Sequence, residues 1–247
     1  MAKFATKNKT MLDNWKRQLN ERAKPEKISD LMRFFKCGPG EYAEGDIFIG
    51  LTVPDNRAVS RTFFDAPIEI IDSMIDDPVH EYRLAGLLAL VERYRKTKDP
   101  VGRNEIARHY IEICHKANNW DLVDLSTEYI LGHEIVAGRC LDDIERLSNS
   151  DNLWEQRVAI IATLTPIRQG ELDLAFELCH RYISRPHPLL RKAVGWILRE
   201  CGKKDRGRLE EFLAEHISEI SATSLSYATE HFTPEARLKW RTLRKNH

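Results

Sequence analysis

The fold is decided by the segment Asp77-Pro-Val-His-Glu-Tyr-Arg83-Leu-Ala-Gly-Leu-Leu-Ala-Leu90, because two later segments repeat its pattern. These are Asn152-Leu-Trp-Glu-Gln-Arg157-Val-Ala-Ile-Ile-Ala-Thr-Leu164 and His187-Pro-Leu-Leu-Arg191-Lys-Ala-Val-Gly-Trp196-Ile-Leu198. Each opens on a capping residue or a proline, reaches an arginine, and continues with small and large apolar residues. The arginines lie 74 and 34 residues apart, which fits a repeating unit of roughly 34–38 residues.

This period is typical of a HEAT-like α-solenoid, in which paired helices stack on their neighbours. Half of the longer interval places a divergent copy of the unit at Trp120. Small residues at Ala85, Gly86, Ala159, Ala193 and Gly195 let neighbouring helices approach closely. We therefore predict an all-α fold: a HEAT-like solenoid of about six helix pairs with a concave groove. It forms a single domain over residues 1–247, with residues 1–10 as a frayed tail.

The remaining helices follow from apolar periodicity. Two amphipathic helices are predicted at Met11–Arg22 and Ile28–Phe35. A further helix is predicted over Asp55–Phe64. Pro54 lies at its first turn, where proline is favoured. Twelve more are predicted at Pro67–Ile75, Tyr82–Lys96, Val101–His115, Leu122–Leu131, Ile135–Cys140, Asp142–Leu147, Leu153–Pro166, Glu171–Ile183, Pro188–Gly202, Asp205–Glu215, Ser218–Thr223 and Pro234–Lys245.

One stretch, Tyr42–Pro54, is apolar and punctuated by glycine, without helical periodicity. It has the composition of a short strand, but the chain offers no second strand to pair with it. We expect an ordered loop that packs across helix ends.

Charge is balanced over the whole chain but uneven along it. The 247 residues carry a formal net charge of zero, which excludes a uniformly basic surface. Residues 1–27 and 185–210 each contain eight lysines and arginines against three acids, whereas residues 41–82 contain ten acids against two arginines. The basic stretches permit one face for an anionic polymer. They are equally typical of solvated helix surface.

Several classes of protein are excluded by what the sequence lacks. The five cysteines are odd in number and none has CxxC spacing, so neither a disulfide scaffold nor a zinc ribbon is expected. No apolar run approaches 18 residues, and the first residues lack the apolar region of a signal peptide. Familiar nucleophile, phosphate-loop and zinc motifs are missing. We expect a monomer in the reducing cytoplasm, without membrane association, metal or cofactor.

A candidate site begins at Asn118-Asn119-Trp120-Asp121-Leu122-Val123-Asp124. Asn118 or Asn119 is placed to cap a helix there. Trp120 and Asp124 are four residues apart and share one helical face, where an aromatic ring beside a carboxylate suits a cationic ligand. The alternative, favoured by the local pattern alone, is a buried tryptophan beside a solvated aspartate. Asp121 is interpreted as a charge at the helix terminus.

Two further features allow either a structural or a functional interpretation. Arg83 and Arg191 hold matched repeat positions, where arginines often form structural salt bridges between repeats. Trp196 lies where the other copies have Leu88 and Ala162. Spacing favours a core position for this indole, and the alternative is an aromatic residue on the groove.

Four segments together resemble the AlkD-type DNA alkylation repair family: Tyr42–Pro54, Asn119–Asp124, Leu153–Ile160 and Arg191–Glu200. They occur in the family's order over roughly residues 10–245. The resemblance implies HEAT-like repeats whose concave face holds duplex DNA and an enzyme that excises positively charged N3- and N7-alkylated purines. It assigns the catalytic carboxylate to Asp124 and the remaining site residues to Trp120, Trp196, Arg157 and, through a looser alignment, Tyr42.

The implied chemistry suits these residue types. An N-alkylated purine is already cationic, and a fixed carboxylate would stabilise the oxocarbenium-like sugar as the base leaves. Indole faces favour a nearby cation, and an arginine would hold a phosphate. Most glycosylases extrude the base into a pocket, whereas the resemblance implies excision without one. The alternative function is a non-catalytic HEAT-like module that binds DNA or protein.

Overall fold

The computed structural model describes residues 2–246, with the side chains described from residue 8 onward. These residues form sixteen α-helices, three short 3-10 helices, and an isolated bridge between Ile47 and Val79. The predicted all-α class is therefore confirmed. The chain divides into two compact units, Met1–Tyr129 and Ile130–His247.

The first unit contains α1 (Ala2–Asn20), α2 (Ile28–Phe34), α3 (Val53–Ser60), α4 (Ile68–Ile75), α5 (His80–Lys96), α6 (Pro100–Ile113), α7 (Trp120–Asp124) and the start of α8 (Thr127–Val136). The second unit contains the rest of α8, then α9 (Leu141–Ser148), α10 (Leu153–Ile161), α11 (Leu164–Gln169), α12 (Asp173–Tyr182), α13 (Pro188–Lys204), α14 (Arg206–Glu215), α15 (Ala222–Ala228) and α16 (Pro234–Lys245).

Helix packing in the first unit centres on α5, which is buried along most of its length. Gly86 of α5 lies against α4, where an added Cβ would come within 2.6 Å of the Ile75 side chain and 2.9 Å of the Ile71 carbonyl. The predicted close approach at this small residue is confirmed. In the same unit, Trp15 of α1 is fully buried and stacks on Phe63.

Of the predicted loop Tyr42–Pro54, residues 42–52 are non-helical as expected, whereas Val53 and Pro54 belong to α3. The carboxylate of Glu81, buried at the start of α5, accepts hydrogen bonds from the backbone N–H groups of Ile49, Gly50 and Leu51. Gly50 has φ +84°, and a Cβ there would lie 2.0 Å from the Lys24 carbonyl oxygen. Only glycine therefore fits where the loop crosses the turn after α1.

In the second unit α13 is the central helix. Gly195 lies against α15, where an added Cβ would lie 2.6 Å from the Ser224 carbonyl oxygen. Arg157 of α10 is buried, and its Nη1 donates to the Leu189 carbonyl oxygen at 2.8 Å. The second repeat segment therefore packs directly on the third.

Two predicted helices differ mainly at their ends: the first begins at Ala2 instead of Met11, and Asp55–Phe64 is α3 followed by a 3-10 helix over Arg61–Phe63. Four others are wrong in extent for a local reason. Leu122–Leu131 divides into α7 and α8, where the Ser126 hydroxyl bonds to the Leu122 and Val123 carbonyls. Leu153–Pro166 divides into α10 and α11, because Pro166 has no N–H for the ladder. Ile135–Cys140 is no helix of its own: α8 ends at Val136, and Gly138 and Cys140 have positive φ.

The fourth error is Ser218–Thr223. The helix here begins at Ala222, because the Ser221 hydroxyl accepts the Ser224 N–H at 2.9 Å and caps α15. An N-cap residue has extended backbone, so the helix cannot include the residues before it.

Met1 and the side chains of residues 2–7 lie outside the described part, and they include most of the predicted tail over residues 1–10. The backbone of residues 2–10 belongs to α1. The single domain over residues 1–247 stays a prediction. Within residues 2–246, no helix combines the length and apolar character needed to cross a bilayer.

Candidate active site

The candidate site in the first unit starts at the short helix α7. Asn119 caps it: its side-chain oxygen accepts the Trp120 N–H at 2.8 Å, as predicted for one of the two asparagines. Asn119 is itself fully buried, and its amide donates to Asp46 Oδ2 at 3.3 Å. The position of Trp120 is therefore set by a buried cap.

Trp120 is half-buried and held by other aromatic side chains. Its ring stacks on Phe35 at 5.2 Å between centroids and meets Phe34 edge-on at 5.5 Å. The indole N–H donates to the Tyr42 hydroxyl, and burial raises the pKa of Tyr42. The indole is thus fixed in one orientation while part of its surface stays accessible, so it is no ordinary core residue.

Asp124 is also half-buried and lies beside Trp120 on the wall of a cavity of about 410 Å³. All residues that line the cavity belong to the first unit: Lys27, Leu31, Phe34, Phe35, Phe48, Leu51, Thr52, Val53, His80, Glu81, Leu84, Trp120, Asp121, Asp124 and Leu125. The lining is predominantly apolar and includes aromatic rings as well as carboxylates from α5 and α7.

A buried ionic network lies behind this cavity. The His80 ring bridges two carboxylates, with Nε2 2.8 Å from Asp121 Oδ2 and Nδ1 3.2 Å from Asp46 Oδ2. Arg83 donates to the other oxygen of Asp46 at 2.6 Å. Two rings, Phe35 and Phe48, pack against the imidazole. The network joins the loop, α5 and α7, and so supports both Trp120 and Asp124.

The protonation of His80 follows from its neighbours. Burial alone would lower its pKa, but the charge and hydrogen bond of Asp121 and the hydrogen bond of Asp46 raise it to about 9. For the Asp46 carboxyl, burial acts in the opposite direction and would raise the pKa. His80 and Arg83 nevertheless hold the pKa of Asp46 below its usual value. At neutral pH His80 is therefore an imidazolium that donates from both nitrogens.

Asp121 is a charge in the first turn of α7, as interpreted, but it also has a buried partner that the sequence does not show. Its side chain is buried, and one oxygen binds His80 while the other accepts the Leu122 N–H at 2.9 Å. His80 and Asp46 were missed altogether, because 34 residues separate them in an acidic stretch that is typical of solvated surface. No spacing of residues in the sequence predicts such a network.

Of Arg83 and Arg191, Arg83 has a structural role, although its ion-pair partner lies in the loop over residues 42–52 and not in another repeat segment. It is buried, pairs with Asp46, and donates to the Pro78 carbonyl at 2.9 Å. Arg191 instead donates its Nε to the Arg185 carbonyl at 3.2 Å. Its matched repeat position therefore does not give it the same kind of partner.

The other two predicted site residues belong to the second unit. Arg157 is 4% exposed and has the Leu189 carbonyl as one partner. Trp196, on α13, is half-buried. The spacing favoured a core position for Trp196, but its side chain is only partly buried. That these two residues share one site with Trp120 and Asp124 stays a prediction.

The basic stretch over residues 185–210 is partly neutralised by acidic partners. Arg199 pairs with Glu230 and Arg208 with Asp173, the latter at 2.6 Å. Two further ion pairs join Lys203 to Glu200 and Arg206 to Glu210. Half of the eight basic side chains are thus engaged within the chain. By contrast Lys192 and Lys204 are exposed, and neither forms an ion pair with another described side chain.

Comparison with known proteins agrees with these features. A family model described as DNA alkylation repair enzyme matches residues 15–232. The chain therefore belongs to the DNA alkylation repair enzyme family, as the resemblance implied. Membership supports an enzymatic role in the repair of alkylated DNA, with DNA as the substrate.

A solved structure shares the fold. It is described as a predicted DNA alkylation repair enzyme from Enterococcus faecalis, and it superposes with a TM-score of 0.65 at 17% identity. The match covers 86% of this chain and 98% of that one. A sequence comparison with curated proteins gave no significant match.

Proposed function

We propose that this protein is a monofunctional DNA glycosylase that excises positively charged N3- and N7-alkylated purines from duplex DNA. One observation carries the proposal: Trp120, oriented by Phe34, Phe35 and Tyr42, exposes part of its ring beside the Asp124 carboxylate. An aromatic face and a carboxylate together recognise a delocalised cation. Family membership supplies alkylated DNA as the source of that cation.

The reaction breaks the bond between C1′ of the deoxyribose and the ring nitrogen of the base. The bonding pair leaves with the purine, which becomes neutral, and positive charge develops on C1′ and the ring oxygen. Asp124 stabilises that charge in a partly desolvated setting, where a fixed carboxylate is more effective than in water. A water molecule then adds to C1′ and loses its proton to solvent. No further group is needed to protonate the leaving base.

The wider arrangement belongs to the same proposal. We infer that the helices form HEAT-like repeats, that Arg157 holds a phosphate, and that Trp196 packs on the deoxyribose near the lesion. These roles come from the family resemblance. Arg157 is largely buried, so its phosphate contact requires that part of the guanidinium be reached by the DNA backbone. The protein is expected to act as a monomer and without a cofactor.

The deciding experiment measures base release from duplex DNA that contains 7-methylguanine or 3-methyladenine. Free base should appear in single-turnover reactions with excess protein, while unmodified duplex yields none. Duplex binding is measured in parallel at several salt concentrations. Folded protein that binds duplex with the usual salt sensitivity but releases neither base would refute the glycosylase and favour the non-catalytic DNA-binding module.

A further inference from the structure

The helix α16 carries a row of positive charges. Its 12 residues contain five lysines and arginines against a single acid, Glu235. Arg237, Arg241 and Lys245 are spaced by four, so they lie along one face of the helix. At a rise of 1.5 Å per residue, this basic row is about 12 Å long. The match to the family model ends at residue 232, so family membership does not account for these charges.

The helix that carries the basic row is held on the second unit by packing and by hydrogen bonds. Trp240 is only 8% exposed. At the start of the helix, the Thr233 hydroxyl accepts the Ala236 N–H at 3.3 Å. Near its end, Arg244 Nε donates to the Ile220 carbonyl oxygen at 2.6 Å. The backbone behind the row is therefore ordered before any partner binds, which limits the entropy lost on binding.

The charges of the basic row are not neutralised within the described part of the chain. Arg241 and Lys245 are exposed, and neither forms an ion pair with another described side chain. Arg237 is half-buried, and its Nε finds no hydrogen-bond partner among the described residues. The carboxylate that Arg237 influences, that of Glu230, is already bound by Arg199. Positive charge therefore exceeds negative charge along the whole row.

The basic row is also connected to the part of the second unit that carries Trp196. Arg199 follows Trp196 by three residues on α13, so the two side chains are neighbours on one face of that helix. Arg199 binds the carboxylate of Glu230, which lies a few residues before α16. Arg237, at the start of the row, acts on the same carboxylate. A positively charged surface thus extends from the Trp196 face of α13 onto α16.

We propose that the basic row of α16 binds the phosphate backbone of duplex DNA to one side of the lesion. The proposal rests on the proposed function, which supplies duplex DNA as the partner and places Trp196 near the lesion. Duplex DNA carries one negative charge per roughly 1.7 Å of its axis, so the row faces several phosphates. Arginine binds a phosphate through two parallel N–H groups. A membrane surface suits α16 less well, because its large apolar side chain, Trp240, is buried in the protein.

The test compares two faces of α16 by measuring affinity for unmodified duplex at several salt concentrations. Arg241→Ala should reduce the slope of log affinity against log salt by about 0.9, and adding Lys245→Ala should reduce it by about as much again. Lys239→Ala is the matched control, because Lys239 is exposed on the same helix but lies two residues from Arg241 and so on nearly the opposite side. Its slope should equal that of wild type. All of these side chains are exposed, so the melting temperatures should be unchanged.

The outcomes separate this proposal from the glycosylase function, because unmodified duplex is bound whether or not a base is released. A smaller slope for the Arg241 and Lys245 variants alone supports the contact, even if wild type releases no base. Unchanged slopes overturn the contact, and base release by wild type then still decides the glycosylase. An equal reduction by Lys239→Ala also overturns it, since net charge would explain the effect. Binding to vesicles of phosphatidylserine and phosphatidylcholine that only the row variants lose, with unchanged duplex slopes, would assign the row to a membrane surface instead.

Discussion

His80 Nε2 lies 2.8 Å from Asp121 Oδ2, and this contact ties the buried helix α5 to the five-residue helix α7. A helix of that length has no stability of its own in water. Asp121 is the residue after Trp120, so the contact also fixes the backbone that carries the indole. The orientation of the candidate site is therefore determined by an ion pair in the protein interior.

Replacing His80 should change how stability depends on pH. Its pKa is raised in the folded state from 6.5 to about 9, so the protonated ring stabilises the fold fully below about pH 6.5 and loses that effect as pH rises toward 9. For wild type we expect a loss on the order of 2–3 kcal/mol in unfolding free energy across this window. His80→Asn should remove this dependence, as measured by urea unfolding between pH 6 and 10.

Unfolding measurements extended from pH 6 down to pH 2 should show a second, acidic limb. Because the pKa of Asp46 is lowered, its contribution is present above about pH 4 and disappears as the pH falls further. Asp121 and Arg83 are the other charged groups that act on His80. An equal deficit of His80→Asn at every pH would show that the ring acts by packing alone.

Asp124→Asn should abolish most catalysis without unfolding the protein. The amide keeps the size and planar shape of the carboxylate but has no charge to stabilise the sugar cation. We expect single-turnover base release to fall by roughly 10²–10³-fold, with the melting temperature nearly unchanged. Asp151→Asn, at an exposed turn residue, is the matched control. Full activity of Asp124→Asn would exclude the carboxylate from the mechanism.

The pairing of Trp120 with Tyr42 makes a second catalytic prediction. Tyr42→Phe removes only the acceptor of the indole N–H and should lower base release by a few fold, since one hydrogen bond contributes about 1 kcal/mol. Trp120→Phe should lower it further, and the double variant should be no worse than Trp120→Phe. Additive losses in this double-mutant cycle would indicate that the two residues act independently.

The salt dependence of the affinity for duplex DNA should distinguish basic side chains that form ion pairs within the chain from exposed ones that do not. Replacing both Lys192 and Lys204 with alanine should reduce the slope of log affinity against log salt by about two for duplex DNA, as each lost phosphate contact contributes about 0.9. Arg206 and Arg208 are ion-paired, so their double alanine variant should alter the slope less. The reverse ranking, measured by fluorescence anisotropy, would place the phosphate contacts elsewhere on the chain.

Much of the helical framework was predictable because its signals are local. Pro234–Lys245 agrees with the prediction at both ends, and α3 begins next to Pro54 as expected. Helix ends that depend on side-chain back-bonding or on a missing N–H, at Ser126 and Pro166, were not predicted. Apolar periodicity continues across such breaks, so the pattern alone does not reveal them.

Sequence alone determined the all-α class, a cap at Asn118 or Asn119, and the placement of Trp120 and Asp124 on one helical face, since each depends on residues within a few positions. Only the tertiary structure decided that Asp121 is a buried partner of His80 and that Phe34 and Phe35 hold the indole over a cavity. The contact between His80 and Asp121 joins residues 41 positions apart. The contacts of Trp120 with Phe34 and Phe35 join residues more than 80 positions apart. Apolar and charged residues at such separations meet only through packing of whole helices, which no local pattern encodes.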